Sequence, residues 1–288
     1  MDTSEKYICL NGEIHESDAP ILYSSNRAFR YGDSVFESMR FTQKQIPFFK
    51  KHWQRLQKAM AVLFMQPTAN FTEELVLGYI LRLIEKNNIP ADARVRLTVF
   101  RSGDGTYTPT TNTIEYLIEV DALEDDCFVL NPKGLLVDIY NDLKKSKNIL
   151  SPYKIGSAAL YVMAGINKIK NELDDSIIIN DKGNIIEATS SNIFAVKNGV
   201  LYTPPIEEGC INGVMRNVIL EIAKENRIAV YEIGLAFNVM LNADEVFLTD
   251  AVNGIRWISS YKAKRYFNTM SKTLVDKLNA AAIKAQGV

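Results

Sequence analysis

Alternation of apolar and polar residues predicts β-strands in the first half of the chain, and short apolar runs beside turn residues predict strands in the second half. From residue 94 to residue 99 the odd positions are apolar and the even positions are polar, which is typical of a strand with one buried face. Residues 34–41 and 114–120 are also predicted to form strands. Further strands are predicted at residues 7–10, 134–140, 176–180, 185–188, 192–196, 200–202 and 244–251.

Two Asn-Gly pairs lie between short apolar runs and predict tight β-hairpins. Asn11-Gly12 joins the first two strands, and Asn198-Gly199 joins two strands in the second half. Asp181 to Asn184 predicts a third hairpin turn. The polar and aromatic segment 26–33, by contrast, predicts a loop.

Helical spacing of apolar residues predicts two helices in the first half. Trp53, Leu56 and Met60 lie on one face of residues 50–65. Residues 72–88 follow the pattern of a capped helix that ends before Ile89-Pro90. Additional helices are predicted after Ser157, after Gly213 and over residues 261–285.

This succession of strands and helices predicts an α+β protein of two domains. The segment from Asp121 to Lys133 is acidic, contains Pro132 and has no periodicity, which favours a linker. We therefore expect an N-terminal domain over residues 1–122, a linker over 123–133 and a C-terminal domain over 134–288.

The charge balance favours a small-molecule partner over a nucleic acid or an anionic membrane. The chain has 33 Lys and Arg against 34 Asp and Glu, a formal net charge of −1. No run of eighteen apolar residues occurs, and the N-terminus lacks a signal-peptide pattern. These features predict a cytoplasmic protein that does not bind a membrane.

The cysteines and histidines argue against several kinds of site. Three widely separated cysteines indicate neither a disulfide framework nor a zinc site, and they fit a reducing compartment. Only two histidines, His15 and His52, are present, which weakens a His-dependent hydrolase or metalloenzyme. We expect no metal.

Lys154 is the strongest candidate for chemistry. Ser151-Pro152 favours extended backbone before it, while Gly156 and Ser157 suit a helix start after it. Small and apolar residues follow, and burial would leave the lysine as a free amine able to form a Schiff base. The alternative is a surface lysine at a helix entrance.

Three further features are candidate binding elements. The polar segment 187–192 interrupts an apolar sheet, which is typical of a functional position. The glycine before the helix at Val214 leaves backbone N–H groups that suit an anion, although many such helices bind nothing. Arg94 and Arg96 could bind a substrate carboxylate or form a solvated sheet edge.

Together these segments resemble class IV of the pyridoxal-phosphate aminotransferases, which contains branched-chain aminotransferases, D-amino acid aminotransferases and 4-amino-4-deoxychorismate lyases. Residues 31–37 resemble the YG-x-x-[VL]-[FY]-E motif, and residues 52–56 resemble H-x-x-RL. Lys154 precedes an E-x-x-x-x-N motif at Glu187, and residues 213–216 resemble G-[IV]-T-R. The resemblance extends over nearly the whole chain. It implies the fold-type IV architecture of D-amino acid aminotransferase, with pyridoxal 5′-phosphate in the interdomain cleft, and a homodimer.

The resemblance also implies residue roles. Lys154 falls on the catalytic Schiff-base lysine, Glu187 on the carboxylate at the pyridine nitrogen, and Arg55 on the phosphate-binding arginine. Cofactor contacts are further implied for Val214, Met215, Thr249 and Ala251. Substrate contacts are predicted for Phe36, Arg96 and Tyr107.

Departures from the family pattern favour a 4-amino-4-deoxychorismate lyase, which forms 4-aminobenzoate and pyruvate for folate synthesis. Met215 replaces the threonine of typical transaminases, and Ala251 replaces a hydroxyl residue of branched-chain enzymes. The R-x-H motif of D-amino acid aminotransferases is absent from residues 103–108, where the R-G-Y of lyases survives only as Tyr107. The alternatives are a branched-chain aminotransferase and a non-catalytic binding protein that retains the fold.

Overall fold

The computed structural model describes residues 6–125 and 127–285, which form two compact units. The first unit contains the described chain up to residue 125 together with Tyr153–Ser157, and the second contains the remainder. The predicted domain of residues 134–288 includes Tyr153–Ser157. The structure instead places this segment in the first unit, because its backbone pairs with a strand there.

The first unit is a five-stranded antiparallel sheet with three helices. The strand order is β2-β1-β5-β4-β3. Its elements are β1 (Tyr7–Leu10), β2 (Glu13–Glu16), α1 (Arg27–Tyr31), β3 (Ser34–Phe41), α2 (Phe49–Val62), α3 (Glu73–Lys86), β4 (Ala93–Arg101) and β5 (Ile114–Ala122).

The apolar faces predicted from the sequence form the core of this unit. Val95 and Val99 on β4 are fully buried, and Trp53 and Leu56 of α2 belong to the same cluster. Helix α3 begins as predicted, because the Thr72 hydroxyl accepts a hydrogen bond from the third residue beyond it. The Asn11-Gly12 hairpin is also confirmed.

Helix α1 corrects the loop predicted over residues 26–33. The Asn26 side chain accepts hydrogen bonds from the N–H groups of Ala28 and Phe29, which starts a helical turn. The helix ends at Gly32, whose φ of 64° is left-handed. Five residues are too few for helical periodicity to be visible in the sequence.

The second unit contains a nine-stranded mixed sheet and four α-helices. Strands follow the order β11-β10-β9-β12-β13-β6-β7-β8, β14 pairs with β13, and a β8–β9 pairing closes six of the strands into a ring. Its elements are β6 (Leu135–Lys145), α4 (Ala159–Lys170), β7 (Asp175–Asn180), β8 (Ile185–Ala188), β9 (Asn192–Lys197), β10 (Val200–Thr203), a 3-10 turn (Ile206–Glu208), α5 (Val214–Glu225), β11 (Val230–Glu232), α6 (Phe237–Asn242), β12 (Glu245–Asp250), β13 (Gly254–Tyr261), β14 (Lys264–Arg265) and α7 (Thr269–Lys284).

The C-terminal helix is shorter than predicted. Residue 261, the predicted start, is the last residue of β13, and α7 begins only at Thr269. Strand β13 is held by β12 on one side and β6 on the other, so tertiary pairing decides its conformation. Helix α4 likewise begins at Ala159, after Gly156 has paired with the first unit's sheet.

We expect Gly32→Ala to destabilise the protein and Gly78→Ala to stabilise it. A Cβ on Gly32 would lie 2.9 Å from the Ser157 backbone nitrogen, and its left-handed φ alone costs roughly 1–2 kcal/mol for a larger residue. Gly78 lies within α3 with open space around it, so alanine should add up to about 1 kcal/mol. Urea unfolding of both variants measures the difference. Equal urea unfolding midpoints for the two variants would contradict the close packing at Gly32.

Candidate active site

Lys154 is positioned by main-chain pairing with the start of β3. The Phe36 N–H donates to the Lys154 carbonyl at 2.9 Å, and the Gly156 N–H donates to the Ser34 carbonyl at 2.7 Å. A Cβ on Gly156 would lie 2.0 Å from the Ser34 hydroxyl and 3.0 Å from the Gly32 carbonyl oxygen, so any larger residue there would displace the Ser34 side chain. The lysine side chain is only partly exposed. These main-chain hydrogen bonds therefore fix the position of the Lys154 backbone from which the amine-bearing side chain extends.

The Phe36 ring lies beneath two cations. Lys154 Nζ is 4.5 Å from the ring centroid, and the Arg96 guanidinium carbon is 4.0 Å from it. Arg96 Nε donates to the Thr98 hydroxyl at 3.2 Å, and its ion pair with Glu119 is long at 3.8 Å. Burial lowers the pKa of Arg96. Three residues predicted from the sequence are thus brought together.

Arg55 belongs to a buried charge network behind this group. Its Nε donates to Glu37 Oε1 at 2.8 Å, and its Nη2 donates to Oε2. Burial raises the pKa of Glu37, but the Arg55 charge and the hydrogen bonds from His52 and Arg55 outweigh burial and bring the pKa to about 2. The sequence motifs contain all three residues without predicting that they bind one another.

His52 is the neutral member of this network. Burial lowers the pKa of His52 more than the Glu37 carboxylate raises it, and the Arg55 and Lys154 charges lower it further. Because Glu37 is ionised, the His52 Nδ1–H is the donor in the 2.7 Å contact with Oε2.

Tyr107 lies on an exposed loop rather than within this group. Its ring is 90% exposed and 5.6 Å from the Tyr31 ring. The loop is held by Arg27, a buried residue whose Nη1 donates to the carbonyls of Thr106 at 2.7 Å and of Asp104 at 3.3 Å. Arg27 was not identified from the sequence, where no periodic or motif signal marks it.

In the second unit, Glu187 is buried at the end of β8 and accepts three hydrogen bonds. Lys145 Nζ and the Tyr161 hydroxyl donate to Oε1 at 2.7 Å and 2.8 Å. The Ile211 N–H donates to Oε2 at 2.8 Å. Neither Lys145 nor Tyr161 was predicted as a site residue. Only the tertiary structure brings them to Glu187.

The start of helix α5 forms a pocket of backbone donors. Helical geometry leaves the N–H groups of Val214 and Met215 without acceptors in the helix, and no side chain caps them. A Cβ on Gly213 would meet the Asn192 side-chain oxygen at 1.9 Å, so only glycine fits there. The Met215 side chain is buried and has no hydroxyl to offer.

Thr249 on β12 pairs with Asn192 on β9. Because the Asn192 side chain lies against Gly213, this pairing places Thr249 near the start of α5. Its hydroxyl is buried and has no hydrogen-bond partner among the described residues. In the turn that contains Ala251, the Asp250 carboxylate accepts the N–H groups of Val252 at 3.0 Å and Asn253 at 2.8 Å. Asp250 therefore occupies two backbone donors of this turn.

Neither a metal cluster nor a membrane-spanning helix is found in residues 6–125 and 127–285. No group of three or more His, Cys, Asp or Glu side chains in these ranges is arranged to hold a metal ion. None of the helices there combines the length and the apolar character needed to cross a bilayer.

Known proteins share both the sequence pattern and the fold. A model of the amino-transferase class IV family matches residues 34–261. A putative branched-chain-amino-acid aminotransferase of Methanocaldococcus jannaschii is 31% identical over 254 residues, covering 84% of this chain and 83% of that relative. The branched-chain-amino-acid aminotransferase of Escherichia coli K12 is 28% identical over 260 residues, covering 84% and 81%.

Solved structures match the fold at low sequence identity. The branched-chain aminotransferase of Thermoproteus uzoniensis with norvaline has a TM-score of 0.88 at 18% identity, covering 97% of this chain and 96% of that one. A putative 4-amino-4-deoxychorismate lyase of Legionella pneumophila has a TM-score of 0.83 at 21% identity, covering 92% and 97%. These likenesses establish the architecture.

We expect Glu37→Gln to lower the free energy of unfolding by about 3 kcal/mol at pH 7, because it leaves Arg55 buried without its countercharge. The pKa of Glu37 lies at about 2, below its ordinary value of 4.5. The stabilisation is therefore complete above pH 4.5 and is lost as the pH falls towards 2, where the two proteins converge.

The matched control is Glu119→Gln, whose ion pair with Arg96 is long and partly exposed. It should change stability by less than about 0.5 kcal/mol. Urea unfolding between pH 3 and pH 8 measures all three proteins. A constant gap between wild type and Glu37→Gln across this range would contradict the assignment.

Proposed function

This chain belongs to the amino-transferase class IV family and is a pyridoxal 5′-phosphate-dependent enzyme, and from that premise we propose that it is a 4-amino-4-deoxychorismate lyase. The family, the cofactor and the α+β fold predicted from the motifs are confirmed. The roles of individual residues, the place of the cofactor relative to the two units and the reaction are proposals.

The residues present fit the cofactor. The buried Thr249 hydroxyl without a partner and the donor-lined start of α5 beside Gly213 suit a phosphate. The buried Glu187 carboxylate suits a protonated ring nitrogen, and Lys154 supplies a primary amine. Arg55 is the arginine proposed to attract the phosphate through its positive charge, while its Nε and Nη2 donate hydrogen bonds to Glu37.

When bound, pyridoxal 5′-phosphate supplies an aldehyde that links covalently to an amine and a ring that withdraws electrons from the substrate α-carbon. Lys154 would hold the cofactor at Nζ. Once displaced by the substrate amine, the same Nζ would move the proton at the α-carbon. Glu187 would accept the ring N–H, and the N–H groups of Val214 and Met215 would bind the phosphate.

Arg96 and Phe36 are the proposed substrate contacts near Lys154. Among the described residues, the polar partners of Arg96 are the Thr98 hydroxyl and the long ion pair with Glu119, so its guanidinium can donate hydrogen bonds to a substrate carboxylate. The Phe36 ring, which lies close to both Lys154 and Arg96, offers an apolar surface to the substrate. Tyr107 on its exposed loop would contact only a substrate that reaches that loop.

The observation that carries the lyase proposal is the loss of hydroxyl groups at Met215 and Ala251. A transaminase must retain its cofactor through half of each cycle without a covalent bond to lysine, so its non-covalent contacts, including those to the phosphate, must prevent loss. A lyase returns the cofactor to lysine in every turnover and can retain it with fewer contacts. In the turn that contains Ala251, the Asp250 carboxylate also accepts the N–H groups of Val252 and Asn253, which leaves fewer backbone donors for a phosphate.

A branched-chain aminotransferase is the second candidate, favoured by the names of the curated relatives. A third possibility from another class is a binding protein that retains the fold without activity. The match to a family of enzymes favours the enzyme over this possibility.

We further propose a cytoplasmic homodimer. Val162, Met163, Ile166 and Ile169 of α4 lie on one face and are 58%, 45%, 40% and 75% exposed. An exposed apolar stripe of this size supports burial against a second copy.

Lys154→Ala tests the proposed amine. The wild type should purify yellow and yield a borohydride-reduced cofactor adduct at residue 154 by peptide mass. The variant should be colourless and at least about 10²-fold less active, because it loses both the attachment point and the proton carrier. Lys147→Ala, at an exposed position, is the control. A colourless wild type without an adduct would support the binding protein.

Two substrate assays separate the reactions. Purified enzyme with 4-amino-4-deoxychorismate should release pyruvate and 4-aminobenzoate without transfer of the amino group. The same enzyme with leucine and 2-oxoglutarate should form no glutamate. The opposite pattern overturns the lyase and establishes the aminotransferase.

Ile166→Glu should convert a dimer into a monomer, because it places a charge in the centre of the α4 stripe. Light scattering after size-exclusion chromatography measures the mass. Lys224→Glu, at an exposed position on α5, is the control and should leave the mass unchanged. A wild-type protein with the mass of a monomer would contradict the proposed homodimer.

A further inference from the structure

The two oxygens of the Glu187 carboxylate have different surroundings. Oε1 accepts from Lys145 Nζ and from the Tyr161 hydroxyl, whereas Oε2 accepts from the Ile211 N–H. Each carboxylate oxygen can accept two hydrogen bonds. The donors among the described residues therefore fill Oε1 and leave one acceptor position on Oε2.

Lys145 is fixed in place and is not a mobile surface charge. Its side chain is 13% exposed and that of Glu187 is 2% exposed. Nζ also donates to the Ser151 carbonyl at 3.2 Å and lies 5.5 Å from the Tyr161 ring centroid. Two acceptors and an aromatic face thus hold the ammonium against Oε1.

The Tyr161 hydroxyl and the Cys210 thiol near Glu187 are neutral, and the nearby Arg216 charge is bound to other groups. Burial, together with the Glu187 charge, raises the pKa of Tyr161 well above its ordinary range. Burial also raises the pKa of the Cys210 thiol to about 12, with a smaller contribution from Glu187. Arg216 is bound to Glu232 and to the Pro204 carbonyl. Of the described cations, Lys145 is the one within ion-pair distance of Glu187.

We propose that Lys145 is a positioning residue for Glu187: its ammonium holds Oε1 and balances the buried charge, so that Oε2 is the oxygen that accepts the cofactor's ring N–H. This inference rests on the proposed role of Glu187. A buried carboxylate without a countercharge favours its protonated form, which is not an acceptor of the same strength. Losing Lys145 should therefore weaken cofactor binding and reduce activity most at acid pH.

Three variants test the proposal in the holoenzyme. Lys145→Met removes the charge and the donor, Lys145→Arg keeps both, and Lys144→Met changes the neighbouring exposed lysine. The readouts are the cofactor dissociation constant, the absorption spectrum of the bound cofactor between pH 5.5 and 8.5, and the pH profile of kcat/KM. Thermal unfolding of each apoprotein verifies that it is folded.

Lys145→Met should raise the cofactor dissociation constant at least about tenfold, the effect of losing one hydrogen bond to a charged group. Its spectrum should titrate within this pH range where the wild-type spectrum does not, and its kcat/KM should fall more at pH 6 than at pH 8. Lys145→Arg should restore these values to within about threefold, and Lys144→Met should match the wild type.

If Lys145→Met fails to fold, Lys145→Gln replaces it, because an amide still donates to Oε1 without a charge. The proposal is overturned if the folded variant matches Lys144→Met in affinity, spectrum and pH profile. A wild type that binds cofactor but whose Lys145 variants are unaffected refutes this inference alone. A wild type without a Lys154 adduct refutes the proposed function itself.

Discussion

The main-chain pairing between the Lys154 segment and the start of β3 is the constraint on which the proposed chemistry depends. Two hydrogen bonds join Lys154 and Gly156 to this strand, and a Cβ on Gly156 would lie 2.0 Å from the Ser34 hydroxyl. A lysine side chain has four rotatable bonds, so its amine can be aimed only if its backbone is fixed. The sheet supplies that rigidity before any ligand binds.

Each unit balances its own buried charges. In the first, Glu37 is compensated by Arg55 and by a hydrogen bond from neutral His52. In the second, Glu187 is compensated by Lys145. Buried ion pairs add little net stability compared with apolar packing, but removing one partner leaves the other charge buried and uncompensated. Each of these pairs must therefore be kept whole.

Local signals predicted much of the fold. The Asn11-Gly12 and Asn198-Gly199 turns require left-handed backbone and were identified from two residues each. Helical patterns also gave α2 and α3 correctly, with ends within three residues, and α5 begins after Gly213 as predicted. The predictions failed at α1, which is too short to show a period, and at β13, whose conformation is set by its neighbours in the sheet.

The sequence by itself determined the family, because the motifs around Lys154 and Glu187 are fixed by residue type and order. It did not determine the surroundings of those residues. Lys145 and Tyr161 reach Glu187 across 42 and 26 positions of sequence, and no local pattern encodes such a contact. The pairing of β6 with β7 and of β7 with β8 brings Lys145 to Glu187, and helix α4, which packs on β6 and β7, brings Tyr161. A motif can specify which groups are present, but the distances and the dielectric environment that give them their chemistry arise only when distant segments pack together.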